Sequence, residues 1–347
     1  MRGKANKCIK MIGPSRLIIG GFTLFLFLML PVLGLQTDML LSQSITRIFM
    51  NMILVLAMVP SINSGIGMNY GLPLGIVCGL LGGALSLEFG INGAAGFLAA
   101  VIISLPLAAL MGYGYGALLN KVKGSEGMIA TYVGFSVVAF MDIVWLMAPF
   151  HNSAITWPMG SGLRNIVSVE GAYEKILDNF LLIRLTDNIE IPTGLILFSL
   201  FLCLIVWIFF RSRLGIRMRV GGENPSYAKA IGINVNKTRV LGMVLSTCLG
   251  AVGIIVYAQS YGFYQFYNAP LMMAFSCAAA VLIGGATVKK ASISNVIVGT
   301  VLFQTLLTIA LPIANEIMPE GNLSEIMRII ISNGVILYAL TKAGDRK

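Results

Sequence analysis

Apolar residues fill long continuous stretches along almost the whole chain, and short polar or glycine-rich clusters separate one stretch from the next. Runs of this kind predict membrane-crossing helices, which need about 20 consecutive apolar residues. An outer-membrane barrel would show strands of about ten residues alternating apolar with polar, and that pattern is absent. Helices are predicted at 17–34, 45–60, 71–89, 94–119, 129–149, 193–210, 240–260, 271–288, 293–314 and 326–341. The predicted fold is an all-α polytopic membrane protein of about ten transmembrane helices, forming a single transmembrane domain over 17–341.

Composition sharpens the picture. Of the 347 residues, 57 % are hydrophobic and 11 % charged, against roughly 45–50 % and about 25 % in soluble domains. No stretch has the composition of a soluble domain of about 100 residues, so an ATPase, kinase or soluble enzyme module is not expected in this sequence.

The net charge of +10 reads as membrane topology rather than as a nucleic-acid footprint, because of where the cations fall. Arg2, Lys4, Lys7, Lys10 and Arg16 form a basic N-terminus over 1–16. Seven cations from Arg211 to Arg239 oppose Glu223 alone in the segment 211–239. Lys121 and Lys123, Lys289 and Lys290, and the tail 342–347 fall on the same side if the chain crosses ten times. That side is predicted to be cytoplasmic, with both termini on it. Acids dominate the other side: Glu170, Glu174, Asp178, Asp187 and Glu190 in the long connection 150–192, and Glu316, Glu320 and Glu325 near 315–325. No small-residue cleavage site follows Leu30, so the first apolar stretch is read as a retained span. Within the outward loop, Val169, Tyr173, Ile176, Leu177 and Phe180 stand at helical spacing, predicting a short surface helix over Ser168–Phe180 that serves as packing cover or as a docking surface.

The cytoplasmic segment carries the most local information. Gly221 and Gly222 interrupt the preceding helix, Asn224 is a good N-cap, Pro225 suits the first helical position, and Gly232 a C-terminal stop. A short helix at 225–231 follows, either a connector lying at the lipid headgroups or a helix that inserts into a cleft on a cytoplasmic partner. The stretch from Gly222 to Asn234 resembles the coupling-helix loop of ABC-importer permeases of the family that carries branched-chain amino acids, simple sugars such as ribose, and nucleosides. Asn224, Pro225, Ala228, Gly232 and Ile233 match that loop, and Tyr227 stands where an alanine is usual. Leu282–Thr287 with Gly299 and Thr300 is similar to the family's second cytoplasmic Gly-Gly stretch. The resemblance extends over roughly 45–340 and implies an ABC-importer permease fold. It also implies that Gly222, Glu223, Asn224, Pro225, Tyr227, Ala228, Gly232 and Ile233 couple to an ATPase subunit, with a second cytoplasmic contact at Gly284 and Gly285.

Partners implied by the resemblance are cytoplasmic ABC ATPase subunits, a second permease subunit in a homo- or heterodimer, and an extracytoplasmic solute-binding protein, all at a lipid bilayer and without nucleic acid. ATP and Mg would be handled by the ATPase subunits, since the nearest approach to a phosphate loop, Gly285–Lys290, lacks the second glycine and the hydroxyl after the lysine. The chain is expected to be a non-catalytic transport subunit in the cell membrane, with no metal or cofactor site of its own. The resemblance ranks a simple sugar first as solute and a nucleoside second.

Polar residues inside the apolar pattern are the remaining candidates. Ser61, Asn63, Ser64, Asn69 and Tyr70 alternate with glycines between Pro60 and Pro73, reading as part of the translocation pathway or as an ordinary cytoplasmic turn. Asp142 and Glu88 are acids within or beside spans, and either would serve a self-sufficient proton- or cation-coupled carrier, the alternative function. The five cysteines read as packing residues, His151 as a surface residue, and Trp145, Trp157 and Trp207 as interfacial aromatics.

Overall fold

Long apolar stretches without interior breakers fold as helices because, in hydrocarbon, every backbone amide and carbonyl must be satisfied within the chain itself. The computed structural model describes residues 14–157, 162–186, 189–267, 269–317, 329–330, 333–339 and 341. The basic residues before Pro14, Cys8, Asp187, Glu320, Glu325, positions 326–328, 331–332 and 340 of the predicted last span and the tail 342–347 lie outside the described residues.

The elements in chain order are α1 (Pro14–Val32), α2 (Thr37–Leu56), α3 (Met58–Asn63), α4 (Pro73–Glu88), α5 (Gly93–Lys121), α6 (Glu126–Met147), β1 (Ile166–Ser168), α7 (Ile176–Asn179), β2 (Ile183–Thr186), β3 (Ile189–Ile191), α8 (Thr193–Arg211), α9 (Arg213–Glu223), α10 (Pro225–Ala230), α11 (Val235–Tyr261), β4 (Phe263–Gln265), α12 (Ala269–Ile283) and α13 (Ile293–Ile317). Among the described residues, six helices are long and apolar enough to cross a membrane: α2 with α3, α5, α6, α8, α11 and α13. Three shorter apolar helices, over Arg16–Val32, Pro73–Glu88 and Pro270–Ile283, accompany them.

The centre of the bundle is α4, α5 and α11, brought together by small residues. A Cβ on Gly79 would strike the Ala251 carbonyl of α11, and one on Gly112 would strike Thr247 of the same helix. Apolar solvent gives helices no hydrophobic drive to associate, so close backbone approach and dispersion hold them together. Large apolar side chains such as Leu28, Leu110, Phe140 and Leu204 are left on the outside of α1, α5, α6 and α8, the surface a lipid-embedded bundle presents.

The connections fall at two ends. One end carries 64–72, 122–125, 212–234 and 284–292; the other carries 33–36, 89–92, 148–192 and 262–268. At the second end β1 pairs antiparallel with β4, setting Val167 opposite Tyr264, and β2 pairs with β3. This corrects the helix predicted over Ser168–Phe180: only Ile176–Asn179 is helical. Ser168 is held in the β1 ladder, while Gly171 and Lys175 adopt left-handed backbone conformations that interrupt any helix. The apolar spacing instead marks the inner face of a folded turn, where Val169 and Tyr173 are buried and the Tyr173 and Tyr264 hydroxyls bond at 3.1 Å. Trp145 is likewise fully buried rather than interfacial, its ring edge-on to Phe266 at 5.1 Å.

Candidate functional site

At the 212–234 end Gly221 and Gly222 do not interrupt the preceding helix, which runs on to Glu223, but the signals that follow act as local chemistry requires. The Asn224 side chain accepts from the Tyr227 amide at 3.0 Å, Pro225 opens α10 where no amide donor is needed, and Gly232 takes a positive φ just beyond it. The result is a six-residue helix with one buried contact. Ala228 is fully buried, whereas Tyr227 and its i+4 neighbour Ile231 are 57 % and 51 % exposed. Glu223, Asn224 and Pro225 are also exposed and Ile233 half-buried, so the loop offers an apolar pair ringed by polar groups. Solitary exposed apolar residues are ordinary, but this pair tops a helix whose one buried residue is Ala228.

The loop is joined to the bundle backbone to backbone. A Cβ added to Gly65 would lie 2.8 Å from the Gly222 Cα, and one on Gly222 would meet the Asn63 carbonyl and, at 2.8 Å, the Gly65 amide nitrogen. Gly65 itself sits at φ 78°. Asn63 in turn bonds Ala291 through both ends of its amide: Nδ2 donates to the Ala291 carbonyl at 2.9 Å, and Oδ1 accepts from the Ala291 amide at 3.0 Å. The segment 60–71 is therefore wedged between the last turn of α9 and the loop after α12.

Its other polar residues are also engaged. Ser61 donates to the Gly67 carbonyl and Ser64 to the Ser61 carbonyl, each at 2.8 Å. Asn69 donates to Ser246 Oγ at 2.8 Å and accepts from the Tyr115 hydroxyl at 3.2 Å, and Tyr70 packs on Phe275. Gly284 is buried, its carbonyl accepting from Arg16 and from Asn295 Nδ2 at 2.7 Å, and Gly285 lies under the Arg16 guanidinium. Val288, Lys289 and Lys290 are the exposed residues of that corner.

Two adjoining cavities run along α2 from the 148–192 end. The first, of about 370 Å³, is lined by Thr46 and Arg47 of α2, Lys175, Asp178, Glu190 and Ser260 among others. The second, of about 260 Å³, continues past Asn51, Tyr257, Ser276 and Gln304. Arg47, Met50 and Tyr261 line both. Asp178 is almost fully buried; its Oδ1 accepts from Ser260 Oγ at 3.2 Å and its Oδ2 has no partner among the described residues. Burial pushes this carboxyl up to about 6, against the opposing pull of Ser260, Lys175 and Gln259.

Of the two acids considered for ion coupling, Glu88 is committed elsewhere, its carboxylate accepting from the His151 and Asn152 amides at 2.8 and 3.1 Å. Asp142 is half-buried on α6, outside both cavities. Among the described residues no group of three metal-ligating side chains is found. The cavities were missed by sequence reasoning. A span drawn from 45 puts Arg47 at its edge; the helix begins at Thr37 and carries Arg47 well inside it.

Comparison with known proteins agrees with this architecture. Residues 19–340 match the model of the family described as branched-chain amino acid transport system / permease component, and the chain belongs to that family. It is a multi-pass membrane protein of the ABC permease class. Over 63 residues, 18 % of this chain and 20 % of the relative, it is 41 % identical to the nucleoside ABC transporter permease protein NupC of Lactococcus lactis subsp. cremoris. Over 60 residues, 17 % of this chain and 19 % of the relative, it is 42 % identical to the guanosine ABC transporter permease protein NupQ of Bacillus subtilis. A longer match, 26 % identical over 164 residues, covers 46 % of this chain and 42 % of the autoinducer 2 import system permease protein LsrC of an Enterobacter species. The chain thus spans about a fifth of the length of the two nucleoside relatives and under half of the third. No solved structure matches it.

Proposed function

We propose that the chain is one half of the membrane pore of an ATP-binding-cassette importer, driven by separate ATPase subunits through α10 and supplied by an extracytoplasmic binding protein. The basic 212–234 end is then cytoplasmic and the acidic 148–192 end faces outward. The observation that carries the reading is the build of α10: an exposed Tyr227–Ile231 pair on a short capped helix, fixed to the bundle by the Gly65–Gly222 backbone contact. A helix so held passes displacement on rather than absorbing it. The segment 60–71 is the first element to receive that displacement and carries it into the wall of the pathway, because α2 and α3 lead directly into it. Gly284 and Gly285 form the buried base of a second contact whose exposed tip is 288–290.

The solute is a small polar molecule. The two nucleoside relatives, matched at 41 % and 42 % identity, favour a nucleoside over the simple sugar. Tyr227→Glu puts a charge on the exposed face of α10 without touching the buried Ala228. The variant is expected to reach the membrane at normal level, to lose the co-purifying ATPase subunit, and to cut uptake at least tenfold. Normal uptake with the ATPase retained would overturn the coupling assignment.

A further inference from the structure

Arg47 is the eleventh residue of the span that begins at Thr37. At 1.5 Å per residue it lies about 15 Å along the helix, well inside an apolar span of 27 residues. A cation at that depth is costly, and such residues face a water-filled route and a partner. Arg47 is exposed, sits where the two cavities meet, and makes no ion pair among the described residues.

The inner cavity around it contains donors, amides and rings but no acid: Asn51 one turn further on, Ser276, Gln304 and Tyr257. Tyr257 and Tyr261 stand one turn apart with ring centroids 5.2 Å apart, presenting aromatic surface beside the guanidinium. A cationic solute would be repelled here. A flat solute with two adjacent acceptors fits, because the guanidinium fork pairs with two acceptors at once and every base has a face that stacks on an aromatic ring.

We infer that Arg47 is the specificity-determining residue of the route, gripping the O6/N7 edge of a 6-oxopurine nucleoside whose base lies against Tyr257 and whose ribose hydroxyls meet Asn51 and Gln304. This rests on the importer reading with a nucleoside as solute. An adenine would turn its 6-amino donor toward a guanidinium that only donates, whereas a glutamine amide matches the adenine N6/N7 edge.

The test is equilibrium binding of radiolabelled guanosine and adenosine to the complete permease–ATPase complex in lipid nanodiscs, without the binding protein, so that only the membrane site selects. Guanosine is expected to bind roughly tenfold or more tighter than adenosine, the scale of one bidentate base contact. Arg47→Gln should reverse the order, and Arg47→Lys, which keeps the charge but not the fork, should shrink the preference. Equal loss of both nucleosides in Arg47→Gln, or an unchanged preference, overturns the role of Arg47 while leaving the nucleoside reading intact. Absence of saturable binding of either nucleoside, in a complex whose ATPase still co-purifies, overturns the nucleoside and the inference together.

Discussion

The two ends of the bundle are built on opposite principles. At the 212–234 end backbone lies against backbone: Gly65 on Gly222, and Asn63 bonded through both amide atoms to Ala291. Neither contact can yield without moving a whole segment. At the 148–192 end a cavity of about 370 Å³ opens between α2, the single-turn α7, Glu190 of β3 and the end of α11, and one carboxyl oxygen of the buried Asp178 has no partner among the described residues. Close packing transmits displacement, because packed interfaces shift between discrete arrangements rather than deforming continuously. An open end can change shape around a solute at small cost. The contrast suits a machine driven from one end and loaded at the other.

The largest effect should come from breaking the stiff end at its joint. Gly222→Val places a branched side chain where even a Cβ would meet the Asn63 carbonyl and the Gly65 amide. Uptake is expected to be abolished while ATP hydrolysis by the assembled complex continues, the signature of a severed link; uptake above a tenth of wild type would show that the joint has slack. A smaller effect is expected from Asn63→Ala, which strands a buried amide and carbonyl at Ala291. An unsatisfied buried group costs about 1–3 kcal/mol, so the purified protein should melt several degrees lower in detergent, with uptake reduced rather than lost. An unchanged melting temperature would mean that water replaces the side chain.

Much of the stiff end is legible in the sequence and little of the open end is, for a physical reason. The helix at 225–230 is written by neighbours: the Asn224 cap, Pro225 at the first position and Gly232 beyond the end act within one turn of where they stand. Span positions follow from hydropathy alone, so α5, α8 and α11 fall close to where the apolar runs put them. The wedge at 60–71 is visible as polar residues among glycines, but its partners Gly222, Ser246 and Ala291 are more than a hundred residues away. The inner cavity draws Arg47, Tyr257, Ser276 and Gln304 from four helices, and nothing local marks them as neighbours. The outward turn misleads for the same reason: Val169 and Tyr173 are buried at β4 and the turn before it, a contact no window of that segment contains, while Phe180 at the end of the same spacing is exposed.

The smallest expected effect tests the open end and has a definite sign. The Asp178 carboxyl is pushed up to about 6 by burial, from an ordinary value of 3.8. An acid that holds its proton more tightly when folded than when unfolded stabilises the fold below pH 4, and that contribution is lost as pH rises through about 6. Arg47, Lys175 and Glu190 line the same cavity, and Lys175 opposes the shift without cancelling it. Wild type should therefore melt progressively lower as pH is raised from 4 to 7, by roughly a few degrees. Asp178→Asn keeps the shape and removes the titration, so its melting temperature should be flatter over that window and should exceed that of wild type above pH 6. If the two proteins trace parallel curves, Asp178 does not ionise in a dry pocket, and the outward cavity must be wet enough to solvate a charge wherever it stands.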